Sequence, residues 1–162
     1  MREDDVADLL YIQTYKSLAV EEMHASGIPA SIKLAQALVE SDAGRSVLAL
    51  RANNHFGIKC KSWWTGGEYY YADDDRDASG RLTPSCFRIY DSAEQSFVDH
   101  GVFLRSSSRY SSLFLTARSD YKSWARGLQD CGYASSPFYA NRLIQLIEKY
   151  RLFELDQDFA GE

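Results

Sequence analysis

Residues 28–44 read IPASIKLAQALVESDAG, and this stretch decides the fold. Pro29 sits where the first residue of a helix belongs, because its fixed φ suits that position and a first-turn N–H would go unpaired anyway. From Ala30 to Glu40 the apolar residues Ala30, Ile32, Leu34, Ala35, Ala37, Leu38 and Val39 fall on nearly every side. A helix of that pattern is buried inside its fold. Gly44 closes it, or the turn after it. Glu40 ends this most apolar helix. There a carboxylate meets the negative end of the macrodipole, and burial beside Leu38 and Val39 penalises its charge further. Both effects predict a raised pKa. No Lys or Arg immediately precedes it, and the next cation is Arg45. A carboxylic acid that keeps its proton near neutral pH is what cleavage of a glycosidic bond requires, since the leaving oxygen must be protonated. The competing reading turns Glu40 outward into water.

On the N-terminal side, Val6, Leu9, Leu10, Ile12, Leu18 and Met23 mark a helix over 6–26, stopped by Gly27. On the C-terminal side, Asn53, Asn54 and Gly57 mark a loop anchored by Phe56 and Ile58. Residues 63–90 change character, with Gly66, Gly67, the run Tyr69-Tyr70-Tyr71, the acids Asp73-Asp74-Asp75, Gly80, Pro84 and a strand-like run from Cys86 to Tyr90. They predict a β-hairpin lobe with a long acidic tip. Ser92 and Gln95 resemble a capping box opening a helix with Phe97, Gly101 and Leu104 on one face. The polar stretch 105–112 reads as a loop. Ser119 or Asp120 can cap a helix carrying Tyr121, Trp124, Ala125 and Leu128, which stops near Gly132. A last helix follows Pro137, with Leu143, Ile144, Leu146, Ile147 and Tyr150, and the tail after Leu155 reads as frayed or cut from a longer chain. The fold class is therefore mainly α with a small β-hairpin lobe, as a single domain over 1–162 with its core in about 10–153.

Hydrolysis of a glycosidic bond also uses a second carboxylate, which activates water or steadies positive charge on the sugar. Glu68, Asp73, Asp74, Asp75 and Asp77 on the β lobe are the candidates. Such a run is equally a solvated surface, unless one acid faces Glu40 across a cleft. The tyrosine run is either strand core or groove wall. Aromatics make up 14% of the chain, including eleven Tyr and three Trp, more than a small core needs. The excess suits flat or ring-shaped ligands.

The stretch 28–44 is similar to the catalytic-helix signature of glycoside hydrolase family 73, the endo-β-N-acetylglucosaminidase domain of bacterial cell-wall hydrolases. The likeness continues through Asn53-Asn54-His55-Phe56-Gly57-Ile58-Lys59, then Phe87-Arg88-Ile89-Tyr90-Asp91-Ser92, then Gly132-Tyr133-Ala134 with Tyr139 and Ala140. These blocks stand in the family's order and spacing. The resemblance implies a lysozyme-like fold and hydrolysis of the β-1,4 bond after N-acetylglucosamine in peptidoglycan. It places Glu40 on the catalytic acid. It puts the second carboxylate at Ala72-Asp73-Asp74, so Asp74 is the choice, with Asp73 and Asp75 beside it. Tyr133 falls near the sugar site and could steady developing charge, and Tyr139, Tyr90 and Asn54 fall on further motif positions. These four either touch substrate or support the cleft. His55 reads as structural. A wide gap between Glu40 and the β-lobe acid would predict inversion; attack by the substrate's own N-acetyl group would predict retention.

Cys60 and Cys86 flank the β lobe, so a disulfide closing it is sensible, and similar family members of the Bacteroidetes type favour it. Cys131 is then a free thiol. The disulfide implies an oxidising compartment, so a periplasmic or secreted location is expected although MREDDVADLL is not a signal peptide. A net charge of −5 with no basic run argues against sequence-independent nucleic-acid binding. No apolar stretch approaches the roughly eighteen residues of a membrane span. No metal pattern or phosphate-binding loop is present, so no cofactor is expected, and a monomer is expected. Three other readings remain open: a lytic transglycosylase of similar fold, a non-catalytic peptidoglycan-binding module, and a helical adaptor.

Overall fold

In the computed structural model, which describes residues 2–157 apart from the side chains of Asp73 and Asp74, helix α2 (Ala30–Ser41) is buried at every position from Ala30 to Leu38. Its apolar side chains account for this, but three polar ones, Ser31, Lys33 and Gln36, are buried with them. Lys33 donates to the Glu22 carboxylate at 3.0 Å and to the Phe97 carbonyl, and burial lowers its pKa to about 8 although Glu22 opposes the shift. Gln36 is bonded to Tyr139 and His100. The helix is thus less apolar than its pattern suggests, and each buried polar head is satisfied.

Around α2 pack α1 (Glu3–Ser26), α5 (Tyr121–Asp130) and α6 (Tyr139–Lys149), with a 3-10 turn at Leu152–Gln157 against its start. Gly27 ends α1 at φ 85°, where its N–H caps Met23, a left-handed conformation that side chains disfavour. Asp5, in the acidic first turn of α1, binds Lys149 and Tyr150 at the end of α6. Ser92 opens α4 (Ala93–Ser106) by accepting from the Gln95 N–H, and Asp120 opens α5 by accepting from Ser123.

Three elements differ from the sequence reading. Val47–Ala52 forms a short helix, α3, capped by Ser46, too short for a hydrophobic period to mark. Ser108–Leu115 is a 3-10 helix rather than a loop, because Tyr110 and Leu113 are buried and pin it. The tail is not frayed at 156. Asp156 is buried and accepts from the backbone N–H of Ser31 at 2.8 Å and from its hydroxyl. Pro29 offers α2 no side-chain cap, so a carboxylate from the far end of the chain takes that place.

The β lobe is an antiparallel pair, β1 (Glu68–Arg76) and β2 (Leu82–Arg88), with an extra bridge from Lys59 to Phe87. Tyr69 faces Phe87 and Ala72 faces Pro84, but the register then slips before Arg76 meets Leu82. Such a bulge re-aims side chains next to a site, and here it carries Asp75. A disulfide joins Cys60 to Cys86. Cys131 is free and half-buried. No described helix is long and apolar enough to cross a membrane.

Candidate active site

A cleft of about 940 Å³ opens between the end of α2, the β lobe and the segment leading into α6. Its wall includes Glu40, Phe56, Gly57, Lys59, Tyr71, Asp75, Tyr110, Tyr133, Tyr139 and Arg142. Glu40, next to last in α2, is half-buried at its floor. Gly57 passes so close that a Cβ there would stand 3.3 Å from Glu40 Oε2, and its φ of 65° is one that side chains resist. The turn bearing Gly57 is held by Asn54, which accepts from the Ile58 N–H and donates to the carbonyls of Ile58 and Arg88.

Behind Glu40 lies a chain of buried polar groups. Gln36 is one turn earlier on the same face of α2. Its Nε2 donates to the Tyr139 hydroxyl at 2.9 Å, and its Oε1 pairs with His100 Nε2 at 3.0 Å. That pairing makes His100 a neutral Nε2–H donor, in line with the depression of its pKa by complete burial. The Tyr139 hydroxyl in turn bonds to Glu40. Tyr133 stacks on Tyr139 with 5.9 Å between centroids and donates to the Phe56 carbonyl at 3.1 Å. Burial, reinforced by the negative field of Glu40, holds both phenols far above their ordinary pKa. Both are donors at any working pH.

The β-lobe candidates separate. Asp75 lines the cleft, accepts from Ser85 Oγ and pairs with Lys59 at 2.9 Å. These partners hold its pKa below the usual range, Ser85 first. Asp77 organises the hairpin tip by accepting from Ser79 and the Arg81 N–H. Asp73 and Asp74 have side chains outside the described residues, so the expected Asp74 has no described counterpart on the wall. Among the described β-lobe acids, Asp75 is the one on the cleft.

Asn54 and Tyr90, which the resemblance leaves either touching substrate or supporting the cleft, are not among the residues that line it. Asn54 is fully buried with its amide saturated, and Tyr90 is buried and donates to Asp99. They brace the wall from behind. Arg88, 1% exposed, ties the same brace together through Asp99 at 2.8 Å while stacking on Trp63 and Trp64. Sequence reasoning passed over Gln36, Lys59, Asp99 and Arg142. The spacing of Gln36 from Glu40 was a usable signal, but the others depend on chain segments brought together by folding. His55 is structural as expected: buried, bonded to Tyr11 at 2.6 Å, and lowered by burial to about 4.

Residues 16–152 match the Glucosaminidase family, described as mannosyl-glycoprotein endo-beta-N-acetylglucosaminidase. This chain belongs to the glucosaminidase family. It is 37% identical over 131 residues to the exo-glucosaminidase LytG of Bacillus subtilis, covering 78% of this chain and 46% of LytG. It is 31% identical over 143 residues to the peptidoglycan hydrolase FlgJ of Vibrio parahaemolyticus, covering 86% of this chain and 46% of FlgJ. The chain thus spans less than half the length of these curated relatives. Among solved structures, the catalytic domain of the Listeria monocytogenes autolysin Auto superposes with a TM-score of 0.78 at 28% identity, over 92% of this chain and 87% of that one. A peptidoglycan hydrolase of Sphingomonas sp. A1 gives 0.72 at 30% identity, over 90% and 91%. The glucosaminidase fold is mainly helical and lysozyme-like with a β-hairpin lobe, as expected from the sequence. Among its described residues, the one cluster of possible metal ligands is Cys60, Glu68 and Cys86, in which both sulfurs are spent on the disulfide.

Proposed function

We propose that this glucosaminidase hydrolyses the β-1,4 bond after N-acetylglucosamine in peptidoglycan, with Glu40 as proton donor, outside the cytoplasm in the periplasm or as a secreted protein. The observation that carries the reading is the Glu40 carboxyl on the cleft floor at the carbonyl end of α2. Negative charge is costly there, because the helix dipole and the neighbours Val39, Phe56 and Ile58 disfavour it. In the reaction Glu40 gives its proton to the departing glycosidic oxygen as the bond from the anomeric carbon breaks. Water adds to that carbon and surrenders a proton.

Asp75 is the second carboxylate in this proposal. It stays ionised, so it can orient the water and accept its proton, or steady positive charge on the ring. Tyr133 supports that charge from the opposite wall, and Tyr139 positions Glu40. If Asp75 activates the water, the product anomer is inverted; if the substrate's acetamido oxygen attacks first, it is retained. NMR of the fresh product distinguishes the two.

The test is Glu40→Gln. Clearing of purified cell walls is expected to fall by about three orders of magnitude with an unchanged thermal midpoint. Undiminished clearing would remove Glu40 from the acid role. An anhydro end on the released muropeptides, read by mass spectrometry, would reassign the chemistry to transglycosylation, and binding without cleavage would leave a glycan-binding module.

A further inference from the structure

His100 lies on α4 with its ring fully buried, stacked on Phe56 at 4.0 Å between centroids and edge-on to Tyr133 at 6.1 Å. The helix packs this closely at Gly101, where a Cβ would stand 3.0 Å from Glu22 Oε1 and 3.2 Å from the Ser26 Cβ. The ring is neutral, because burial, and after it the Lys33 ammonium, disfavours the imidazolium. A neutral imidazole has one N–H and one bare nitrogen. Nδ1 has no hydrogen-bond partner among the described residues, and buried N–H donors are orphaned less often than acceptors. The proton therefore belongs on Nε2, which faces Gln36 Oε1 at 3.0 Å.

That one proton sets the sense of every bond after it. Gln36 accepts at Oε1, so its Nε2 turns to Tyr139 and donates to the phenol oxygen at 2.9 Å. With that oxygen engaged as an acceptor, the phenol's own proton goes to the other partner of the hydroxyl, Glu40. The neighbouring phenol does not compete, since Tyr133 donates to the Phe56 carbonyl. A His100 proton on Nδ1 would reverse the chain: Gln36 would present Oε1 to Tyr139, whose proton would point away from the carboxyl. A carboxyl oxygen that accepts from Tyr139 is a poor place for a second proton, so the acidic proton of Glu40 is confined to the other oxygen. Direction fixed in advance lowers the barrier to proton transfer without tightening substrate binding.

We propose that His100 is a positioning residue for proton donation: its N–H fixes which way Gln36 and Tyr139 point, and so which oxygen of Glu40 holds the acidic proton. The inference rests on the hydrolase reading of the cleft. In the parent chain, nitrogen-15 NMR of the imidazole should find the His100 proton on Nε2, and a proton on Nδ1 would overturn the proposal whatever the variants do. Steady-state hydrolysis of soluble peptidoglycan strands, at matched folded fraction, should show kcat about tenfold lower in His100→Phe with KM within about twofold of the parent. His100→Gln, which keeps an N–H for Gln36, should recover most of that loss. Adding His100→Phe to Tyr139→Phe should lower kcat by less than about twofold further, because the directed hydroxyl is already gone. Full kcat in His100→Phe, a loss carried by KM, no recovery in His100→Gln, or losses that multiply in the double variant would reduce His100 to packing. An active Glu40→Gln would remove the acid reading and this proposal with it. An inactive Glu40→Gln beside a fully active His100→Phe would remove the directing role alone.

Discussion

Gln36 donates from Nε2 to the Tyr139 hydroxyl across 2.9 Å, joining the middle of α2 to the first residue of α6. The same hydroxyl bonds to Glu40, so one phenol fixes the angle between the two helices and the direction of the carboxyl. Tyr139→Phe removes the shared group and strands a buried amide. The expected cost is about 1–3 kcal/mol of stability, with muropeptide release falling about tenfold or more as Glu40 loses its fixed direction. Denaturant titration and a reducing-sugar assay would read the two effects. A variant less stable but equally active would confine Tyr139 to packing.

Gly57→Ala places a methyl against Glu40 Oε2 in a left-handed backbone. The strain costs roughly 1–2 kcal/mol, and displacing the carboxyl should lower kcat about ten- to a hundredfold. Steady-state kinetics at matched folded fraction would check this, and full activity would show that the carboxyl position is not critical.

Asp156 gives stability a pH dependence of unusual sign. Burial raises its pKa from 3.8 to about 6, against the lowering effect of its bonds to Ser31. Between those values the folded chain holds more protons than the unfolded one, so stability falls as pH rises through that window. The contribution is up to about 3 kcal/mol. Urea titrations between pH 4 and 7 should show this decline in the parent chain and a flatter curve in Asp156→Asn. Parallel curves would mean that Asp156 ionises normally.

The Cys60–Cys86 bridge closes a loop with a sequence separation of 26 and stands beside Lys59, which holds Asp75. Replacing both cysteines with alanine is expected to cost about 2–4 kcal/mol. Activity should also fall at temperatures where the protein stays folded, because the Lys59–Phe87 bridge beside it loosens. Unchanged kcat across that range would limit the disulfide to global stability.

Much was legible in the sequence because its causes are local. The apolar run from Ala30 to Val39 predicts a buried helix whatever surrounds it, and Gly27, Ser92 and Asp120 mark helix ends through bonds that span only a few residues. Glu40 could be singled out because its cost arises from its own helix. Asn54 and Tyr90 stayed open between touching substrate and supporting the cleft, as a motif position does not say which side of a wall a side chain faces. Only the tertiary structure could put their hydroxyl and amide against Asp99, Ile58 and Arg88. It also decided that Asp156 caps α2 across a separation of 125 residues, that the bulge in β1 turns Asp75 toward the cleft, and that Arg142 lies on the same cleft as Glu40. Backbone propensity and periodicity act within a few turns of chain, whereas a cleft forms where distant segments are packed together, and no local pattern encodes that meeting.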